Sequence, residues 1–268
     1  MTQELLDLAV DVAREAAALV RDRRREKVEV ADTKSSATDV VTEVDRESEA
    51  LIRGRIRAAR PDDGFLGEEG HDEPGSSGVR WIVDPIDGTV NFLYGLAPYA
   101  VSIAAERDGA VVAGIVLDVP SGREFTAVVA GDGSVTSRRD GDPIAVREET
   151  PLAQRLVGTG FSYVPELRAR QAAGIARLLP VVRDIRRMGS SALDICSVAE
   201  GTYDAYFEEG LHAWDYSAAA LVAQGAGATV EVTRGISGRE LVMCAPEHGF
   251  RTFRAAVNEA GLLPQTGE

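Results

Sequence analysis

The sequence predicts a mixed α/β (α+β) protein in which five layers alternate as helix, sheet, helix, sheet and helix. Helical periodicity dominates residues 3–60, and residues 99–146 then change to closely spaced β-strands. After residue 150, short apolar strands alternate with helices, which is typical of the α/β class. We expect one domain spanning residues 1–268, with an N-terminal lobe of about residues 1–147 and a C-terminal lobe of about residues 148–268.

Two amphipathic helices are predicted in the first part of the chain. Apolar residues three or four positions apart form one stripe along residues 3–26. Residues 28–41 lack this period and are expected to be irregular or extended. Thr42 resembles an N-cap, so a second helix should begin after it and end before Pro61.

The middle of the chain has the pattern of an antiparallel sheet. The pair Asp108-Gly109 lies between two apolar runs and is typical of a two-residue hairpin turn. The pattern predicts strands at residues 100–106, 110–119, 123–129 and 144–146.

The remaining residues predict strands that alternate with helices, and glycines mark the ends of helices. We expect strands at residues 156–158, 183–187, 203–207, 228–233 and 241–245. We expect helices at residues 166–179, from Ser190 or Ser191 to about 201, from Asp215 to about Gly225, and at residues 250–260.

The composition limits the classes of partner. A net charge of −14 argues against nucleic acid as the main partner, because phosphate backbones bind basic surfaces. The longest apolar run, residues 218–223, is far too short to cross a membrane. Cys196 and Cys244 lie in apolar surroundings, so we expect buried thiols and a cytoplasmic protein.

Residues 81–92 have the composition of a metal-assisted phosphate site. Three apolar residues predict a buried strand, and Asp84 and Asp87 follow where that strand should end. Gly88 and Thr89 suit a tight turn whose amides face an anion at the start of a helix. A divalent cation between the carboxylates and the anion would reconcile both features. Taken alone, the same residues could also form the turn of a hairpin.

Three further acidic residues lie at the boundaries of predicted elements. Glu68 follows a short strand, Asp215 opens an alanine-rich helix, and Asp45 lies in the first turn of the second helix. Ligands of open α/β sheets bind where strands end and helices begin, so we expect these side chains to converge. Oxygen donors without a cluster of thiolates or imidazoles favour Mg²⁺ or Mn²⁺ over zinc.

Three motifs in this order resemble the inositol monophosphatase family. They are Gly67-Glu68-Glu69, residues 81–92 and Trp214-Asp215, and bacterial members of the extragenic-suppressor type are the most similar. The resemblance implies a five-layer αβαβα sandwich of the inositol monophosphatase and fructose-1,6-bisphosphatase type. It also implies Mg²⁺-dependent, lithium-sensitive hydrolysis of phosphate monoesters by a homodimer.

The resemblance also implies a set of metal ligands. Glu68, Asp84 and the backbone carbonyl of Ile86 would hold one Mg²⁺ ion. Asp84, Asp87 and Asp215 would hold a second, and Glu68 would hold a weaker third through waters. Two to three ions are therefore expected, with Mn²⁺ as a possible substitute.

The remaining catalytic groups follow from the same resemblance. Gly88 and Thr89 would bind the phosphate through backbone amides. Thr89, hydrogen-bonded to Asp45, would orient the attacking water beside Glu68. Lys34 would lie near this site.

The alcohol side of the substrate is implied to contact five residues: Asp87, Gly189, Ser190, Ser191 and Glu208. Carboxylates that accept hydrogen bonds from neighbouring hydroxyls suit inositol 1-phosphate, a small phosphorylated polyol. Histidinol phosphate and fructose 1,6-bisphosphate remain alternative substrates. A nucleotide is less favoured, because the sequence offers no clear aromatic platform for adenine. A regulatory binding protein is the alternative of a different class.

Overall fold

The computed structural model describes residues 2–25, 30–33 and 40–264. Its α-helices are α1 (Thr2–Arg23), α2 (Glu43–Ala59), α3 (Thr89–Tyr94), α4 (Pro165–Leu178), α5 (Ser191–Ala199), α6 (Ala213–Gly225) and α7 (Glu247–Glu259). Its first strands are β1 (Val30–Thr33), β2 (Val40–Thr42), β3 (Gly64–Gly67), β4 (Val79–Asp87), β5 (Ala100–Arg107), β6 (Ala110–Asp118) and β7 (Glu124–Val129). The others are β8 (Val135–Arg139), β9 (Asp142–Pro143), β10 (Leu156–Thr159), β11 (Asp184–Arg186), β12 (Ala205–Glu209), β13 (Ala228–Arg234) and β14 (Glu240–Pro246).

The helices and sheets form five layers. α1 and α2 pack on one face of a seven-stranded sheet of order β3-β4-β5-β6-β7-β8-β9. α5 and α6 lie between this sheet and a five-stranded sheet of order β11-β10-β12-β14-β13. α7 covers the outer face of the second sheet and contacts α4. The structure therefore confirms the predicted αβαβα order.

Both predicted N-terminal helices are present. The buried stripe of α1 consists largely of alanine and valine, which lets the helix lie close to the sheet. α2 begins after Thr42, whose hydroxyl oxygen accepts from the backbone N–H of Asp45. Asp45 in turn accepts from the backbone N–H of Thr42, completing a capping box. The predicted N-cap is confirmed.

The seven-stranded sheet differs from prediction at one edge. Asp108 and Gly109 form the expected turn with positive φ angles. Residues 144–146 are not a strand, and β8 pairs with β7 instead. β8 consists of polar and basic residues after its first valine, so it lacks the apolar pattern that predicts a strand. Residues 144–146 lead toward the end of α6, where the amide of Val146 donates to the carbonyl of Ala226.

Cys196 and Cys244 are free and buried, as predicted. No helix in the described ranges combines the length and the apolar character that crossing a membrane requires.

Candidate active site

The predicted acidic residues come from three elements that meet at one edge of the first sheet. Glu68 follows β3, and its amide donates to the carbonyl of Val83 on the parallel strand β4 (3.2 Å). Asp84 and Asp87 lie at the C-terminal end of β4, and Asp215 lies in the first turn of α6. Since parallel neighbours end at the same edge, Glu68 lies beside the acidic end of β4.

All of these acids line one cavity of about 870 Å³. The same cavity is lined by Ile86, Gly88, Thr89, Gly189, Ser191 and Glu208. The structure thus brings together residues that lie up to 147 positions apart between Glu68 and Asp215. Lys34 lies outside the described residues.

The end of β4 is distorted where the chain must leave the sheet. The pairing of β4 with β5 shifts register between Asp84 and Asp87. Pro85 lies inside this irregularity, where it has no N–H to donate to a neighbouring strand. Asp84 is 2% exposed, and its Oδ1 accepts from the amide of Ile86 (3.0 Å). The bulge therefore turns both aspartates of this strand toward the cavity.

Asp87 is held by the start of α5. Its carboxylate accepts from the hydroxyls of Ser190 (2.5 Å) and Ser191 (3.2 Å) and from the amides of Ser191 (3.2 Å) and Ala192 (2.8 Å). Burial raises the pKa of Asp87 above its ordinary value, and these four hydrogen bonds only partly oppose that effect. The predicted contact residues Ser190 and Ser191 therefore also orient a predicted metal ligand.

Asp215 caps its own helix. Its Oδ2 accepts from the backbone N–H of His212 (2.6 Å). Burial and then the negative charge of Glu68 raise the pKa of Asp215 well above its ordinary value, against the effect of the His212 hydrogen bond. Repulsion between two predicted ligands of this kind is what a bound cation would relieve.

The donor set fits a hard divalent cation, since every candidate atom is a carboxylate or carbonyl oxygen. As the side chains stand, no three acidic, histidine or cysteine residues within the described ranges surround a common point at metal distance. Asp84, Asp87 and Asp215 each accept from backbone amides instead. The acids thus share a cavity, and hydrogen bonds fix where each carboxylate points.

Thr89 lies between the second helix and the end of β4. Its hydroxyl is within hydrogen-bond distance of Asp45 Oδ1 (3.0 Å) and of the carbonyl of Ile86 (3.1 Å). A hydroxyl has one hydrogen and can donate to only one of these acceptors at a time. Asp45 is fully buried and is fixed through the capping box at Thr42. The contact expected between Thr89 and Asp45 is therefore present.

Gly88 occupies a position that only glycine fits. It has φ of 97° and is the N-cap of α3, so the hairpin alternative for residues 81–92 is wrong. A Cβ on Gly88 would lie 3.0 Å from the carbonyl oxygen of Gly189 and 3.2 Å from that of Pro98. This close approach brings Gly189 of the predicted alcohol side next to the predicted phosphate turn.

Glu208 is a half-buried cavity residue at the end of β12. The hydroxyl of Tyr206 donates to its Oε2 (2.6 Å), and a Cβ on Gly160 would overlap its carboxylate. Burial raises the pKa of Glu208 to about 7, although the Tyr206 hydrogen bond and the charge of Arg187 lower it. Tyr206 and Gly160 carry no sequence signal for this role, because their contacts with Glu208 depend on how the strands pair.

The turn at Glu68 has a buried support that the sequence does not indicate. Glu49 of α2 is 4% exposed, and its Oε2 accepts from the amide of Glu69 (2.7 Å). Its Oε1 accepts from Arg53 Nη2 (2.5 Å). A Cβ on Gly67 would overlap the same carboxylate. The four-residue spacing of Glu49 and Arg53 predicts an ion pair, but nothing local predicts the contact with the turn at Glu68.

An aromatic pair also lines the cavity. The rings of His212 and Trp214 stack, with centroids 4.8 Å apart and 24° between their planes. The cavity therefore has an aromatic wall at this point, and the expectation that a nucleotide is less favoured stays a prediction. The two residues are separated by one position, and only the turn into α6 brings their rings face to face.

The five-layer fold and its acidic cavity place the chain among phosphoric monoester hydrolases of this architecture. The model of the Inositol monophosphatase family matches residues 1–251, and the chain belongs to that family. The family is generally metal-dependent.

Known relatives and structures agree with this assignment. An inositol-1-monophosphatase of Mycobacterium leprae is 43% identical over 98% of this chain and 96% of its own length. The Nus factor SuhB of Pasteurella multocida is 36% identical over 84% of each chain. The crystal structure of the extragenic suppressor protein suhB from Bartonella henselae superimposes with a TM-score of 0.86 at 29% identity, covering 96% of this chain and 99% of its own.

Proposed function

We propose that this protein is a Mg²⁺-dependent phosphatase that hydrolyses inositol 1-phosphate to myo-inositol and phosphate. The observation that carries the proposal is the convergence of Glu68, Asp84, Asp87 and Asp215 on one cavity beside the turn at Gly88. Carboxylates alone would repel a phosphate ester, so an acidic cavity of this kind needs cations to bind one. Relatives named inositol-1-monophosphatase support inositol 1-phosphate as the substrate.

The proposed metal ligands are Glu68, Asp84, the carbonyl of Ile86, Asp87 and Asp215. Two to three Mg²⁺ ions, or Mn²⁺ in their place, would supply positive charge to the phosphoryl oxygens and acidify the attacking water. Support comes from the all-oxygen donor set and from the raised pKa values of Asp87 and Asp215.

The protein groups around the phosphate have separable roles in this proposal. The amides of Gly88 and Thr89 would bind phosphoryl oxygens. Because Thr89 donates its only hydroxyl hydrogen to Asp45 or to the Ile86 carbonyl, its oxygen lone pairs are left to accept from water. Thr89 and Asp45 would thereby fix the direction of in-line attack, next to Glu68.

The alcohol half of the ester would lie against Asp87, Gly189, Ser191 and Glu208. Ser190 is fully buried behind this surface and would act by orienting Asp87. Hydroxyls of a polyol can donate to carboxylate oxygens, and Glu208 is already oriented toward the cavity by Tyr206. The ammonium group of histidinol phosphate could pair with the same carboxylate, so that compound and fructose 1,6-bisphosphate are the alternatives.

We also propose a cytoplasmic homodimer in which residues 1–147 and 148–268 form two lobes of one domain. The support is the family resemblance, and Tyr94 (73% exposed) and Leu96 (58%) provide apolar surface for a protein contact. A regulatory binding role is a second candidate function, because relatives such as that of Pasteurella multocida are named Nus factor SuhB.

A steady-state panel tests the proposal. Phosphate release is measured with Mg²⁺ for inositol 1-phosphate, histidinol phosphate, fructose 1,6-bisphosphate and adenosine 3′,5′-bisphosphate, with and without lithium. We expect inositol 1-phosphate to have the highest kcat/KM, with lithium inhibition. A higher kcat/KM for histidinol phosphate by orders of magnitude would remove the inositol assignment. Absence of phosphate release from every compound would favour the regulatory role.

A further inference from the structure

Arg187 lies on the alcohol side of the cavity, one residue beyond the end of β11. The strands β11, β10 and β12 run parallel, and Arg186, Gly158 and Tyr206 stand in one row across them. The Cα atoms at the two ends of this row are about 10 Å apart, because two strand spacings separate them. Arg187 and Glu208 follow the row by one and two residues, so both leave the sheet at the same edge. Both side chains line the cavity there.

Two glycines make room for these charged groups. A Cβ on Gly160, the residue that follows β10, would overlap the carboxylate of Glu208. Gly189 has φ of 92°, and Nη1 of Arg187 lies 2.7 Å from the position that a Cβ would occupy there. The side-chain amide of Asn91 donates to the carbonyl that precedes Gly189 (2.7 Å). The guanidinium therefore lies against a fixed turn.

Arg187 and Glu208 influence each other without pairing. Burial raises the pKa of Glu208 to about 7, and the Tyr206 hydrogen bond and the charge of Arg187 oppose this rise. In the part of the chain that the structure describes, the Arg187 guanidinium has no hydrogen bond and no ion pair. The two groups are thus close enough for their charges to interact and too far apart to form an ion pair. A substrate group can fit between them.

A hydroxyl and an ammonium group differ in how they meet this pair. A hydroxyl can donate to Glu208 and accept from Arg187 at the same time, because its oxygen carries both a hydrogen and lone pairs. An ammonium group can only donate, and the guanidinium repels its positive charge. The pair therefore favours a neutral polyol in two ways, by complementing its hydroxyls and by opposing a cation.

We propose that Arg187 determines the specificity of the cavity by selecting phosphate esters of uncharged polyols against those of amino alcohols. Its guanidinium donates to a polyol hydroxyl that in turn donates to Glu208. An ammonium group that approaches Glu208 also approaches the guanidinium. Two positive charges about 6 Å apart at a partly exposed site change binding by about tenfold. This inference rests on the proposed phosphatase function of the same cavity and narrows its substrate class.

The test isolates the ammonium group by comparing histidinol phosphate with its deamino analogue, imidazolylpropyl phosphate. For both compounds kcat/KM is measured at about pH 7.5, where the imidazole is mostly neutral. The ratio of histidinol phosphate to the analogue should rise about tenfold in Arg187→Gln relative to wild type. Arg187→Lys keeps the positive charge and should keep most of the wild-type ratio.

Arg186→Gln is the matched control. It removes the same charge one residue earlier, but Arg186 forms an ion pair with Asp184 (2.6 Å) and does not line the cavity. This variant should leave the ratio unchanged. Inositol 1-phosphate gives a second readout, because Arg187→Gln removes a hydrogen bond made equally in the ground state and the transition state. Its KM should rise about threefold with little change in kcat.

An unchanged ratio in Arg187→Gln, or an equal shift in Arg186→Gln, would overturn the specificity role. If the wild type released phosphate from none of the three compounds, the proposed function itself would fail. Titration calorimetry would then compare binding of histidinol phosphate and its analogue without turnover. A tenfold relative gain for histidinol phosphate in Arg187→Gln alone would retain the role of Arg187, and its absence would reject that role.

Discussion

Replacing Glu49 with glutamine tests whether the turn that carries Glu68 depends on a buried carboxylate of α2. The wild-type side chain accepts a hydrogen bond from the amide of Glu69 and one from Arg53, whose side chain is 23% exposed. A glutamine has one oxygen acceptor, so one of these donors would face an NH₂ group. The change in volume is small, and the effect is therefore electrostatic.

The size of the effect follows from burial. One unsatisfied buried donor, together with the loss of a charge-assisted bond, should lower the free energy of unfolding by about 2–3 kcal/mol. For a chain of this length that corresponds to a fall in Tm of about 4–10 °C. Because Glu68 precedes the released amide of Glu69, we also expect weaker metal binding.

Two measurements check this prediction. Thermal unfolding gives the change in Tm, and Mn²⁺ titration followed by electron paramagnetic resonance gives metal affinity without turnover. Glu15→Gln is the matched control, because it removes an exposed ion pair with Arg55 (2.8 Å) and should change stability by less than about 1 kcal/mol. The reasoning would be refuted if Glu49→Gln matched this control in both measurements.

Three further predictions concern the strand ends. Asp84→Asn should lower kcat by about a thousandfold or more, because both proposed metals lose a ligand, and phosphate release that stays near wild type would reject that role. Gly88→Ala should lower kcat and destabilise the fold by about 1–3 kcal/mol, because φ of 97° is strained for alanine and the new Cβ would crowd Gly189. Activity assays measure the first effect, and urea unfolding measures the second. Burial alone would raise the pKa of Asp63, but hydrogen bonds from Arg60, Ser77 and Trp81 hold it below its ordinary value. Its contribution to stability is therefore complete above about pH 4 and is lost as pH falls through the lower folded pKa, so urea unfolding of Asp63→Asn should depend less steeply on pH below 4 than wild type.

Most of the layers and the acidic residues of the cavity could be predicted from the sequence, because their signals are local. Asp84 and Asp87 stand at the end of an apolar run, and a strand end next to a glycine turn is a local feature. β8 was missed, because its polar residues, next to the short edge strand β9, do not show the alternation of a half-buried strand.

Supporting residues could not be predicted, because their partners are distant in sequence. Glu49 accepts a hydrogen bond from the amide of Glu69, which is 20 positions away in the sequence. Gly160 leaves space for the carboxylate of Glu208, which is 48 positions away. Similarly, Arg234 and Arg239 look like ordinary polar residues of a hairpin. Only the pairing of β12, β14 and β13 places Arg234 on the same face as Glu208.

Charge explains why the cavity combines groups of both signs. A chain of net charge −14 repels a phosphate ester at long range, and the acids at the end of β4 add to this repulsion. Bound cations would reverse the sign at the reacting phosphate. Arg187, Arg234 and Arg239 line the same cavity and offset part of the remaining negative charge. Salt should therefore weaken the attraction of the ester by these arginines more than it weakens metal binding at the acids, because exposed arginines are screened more than buried ligands.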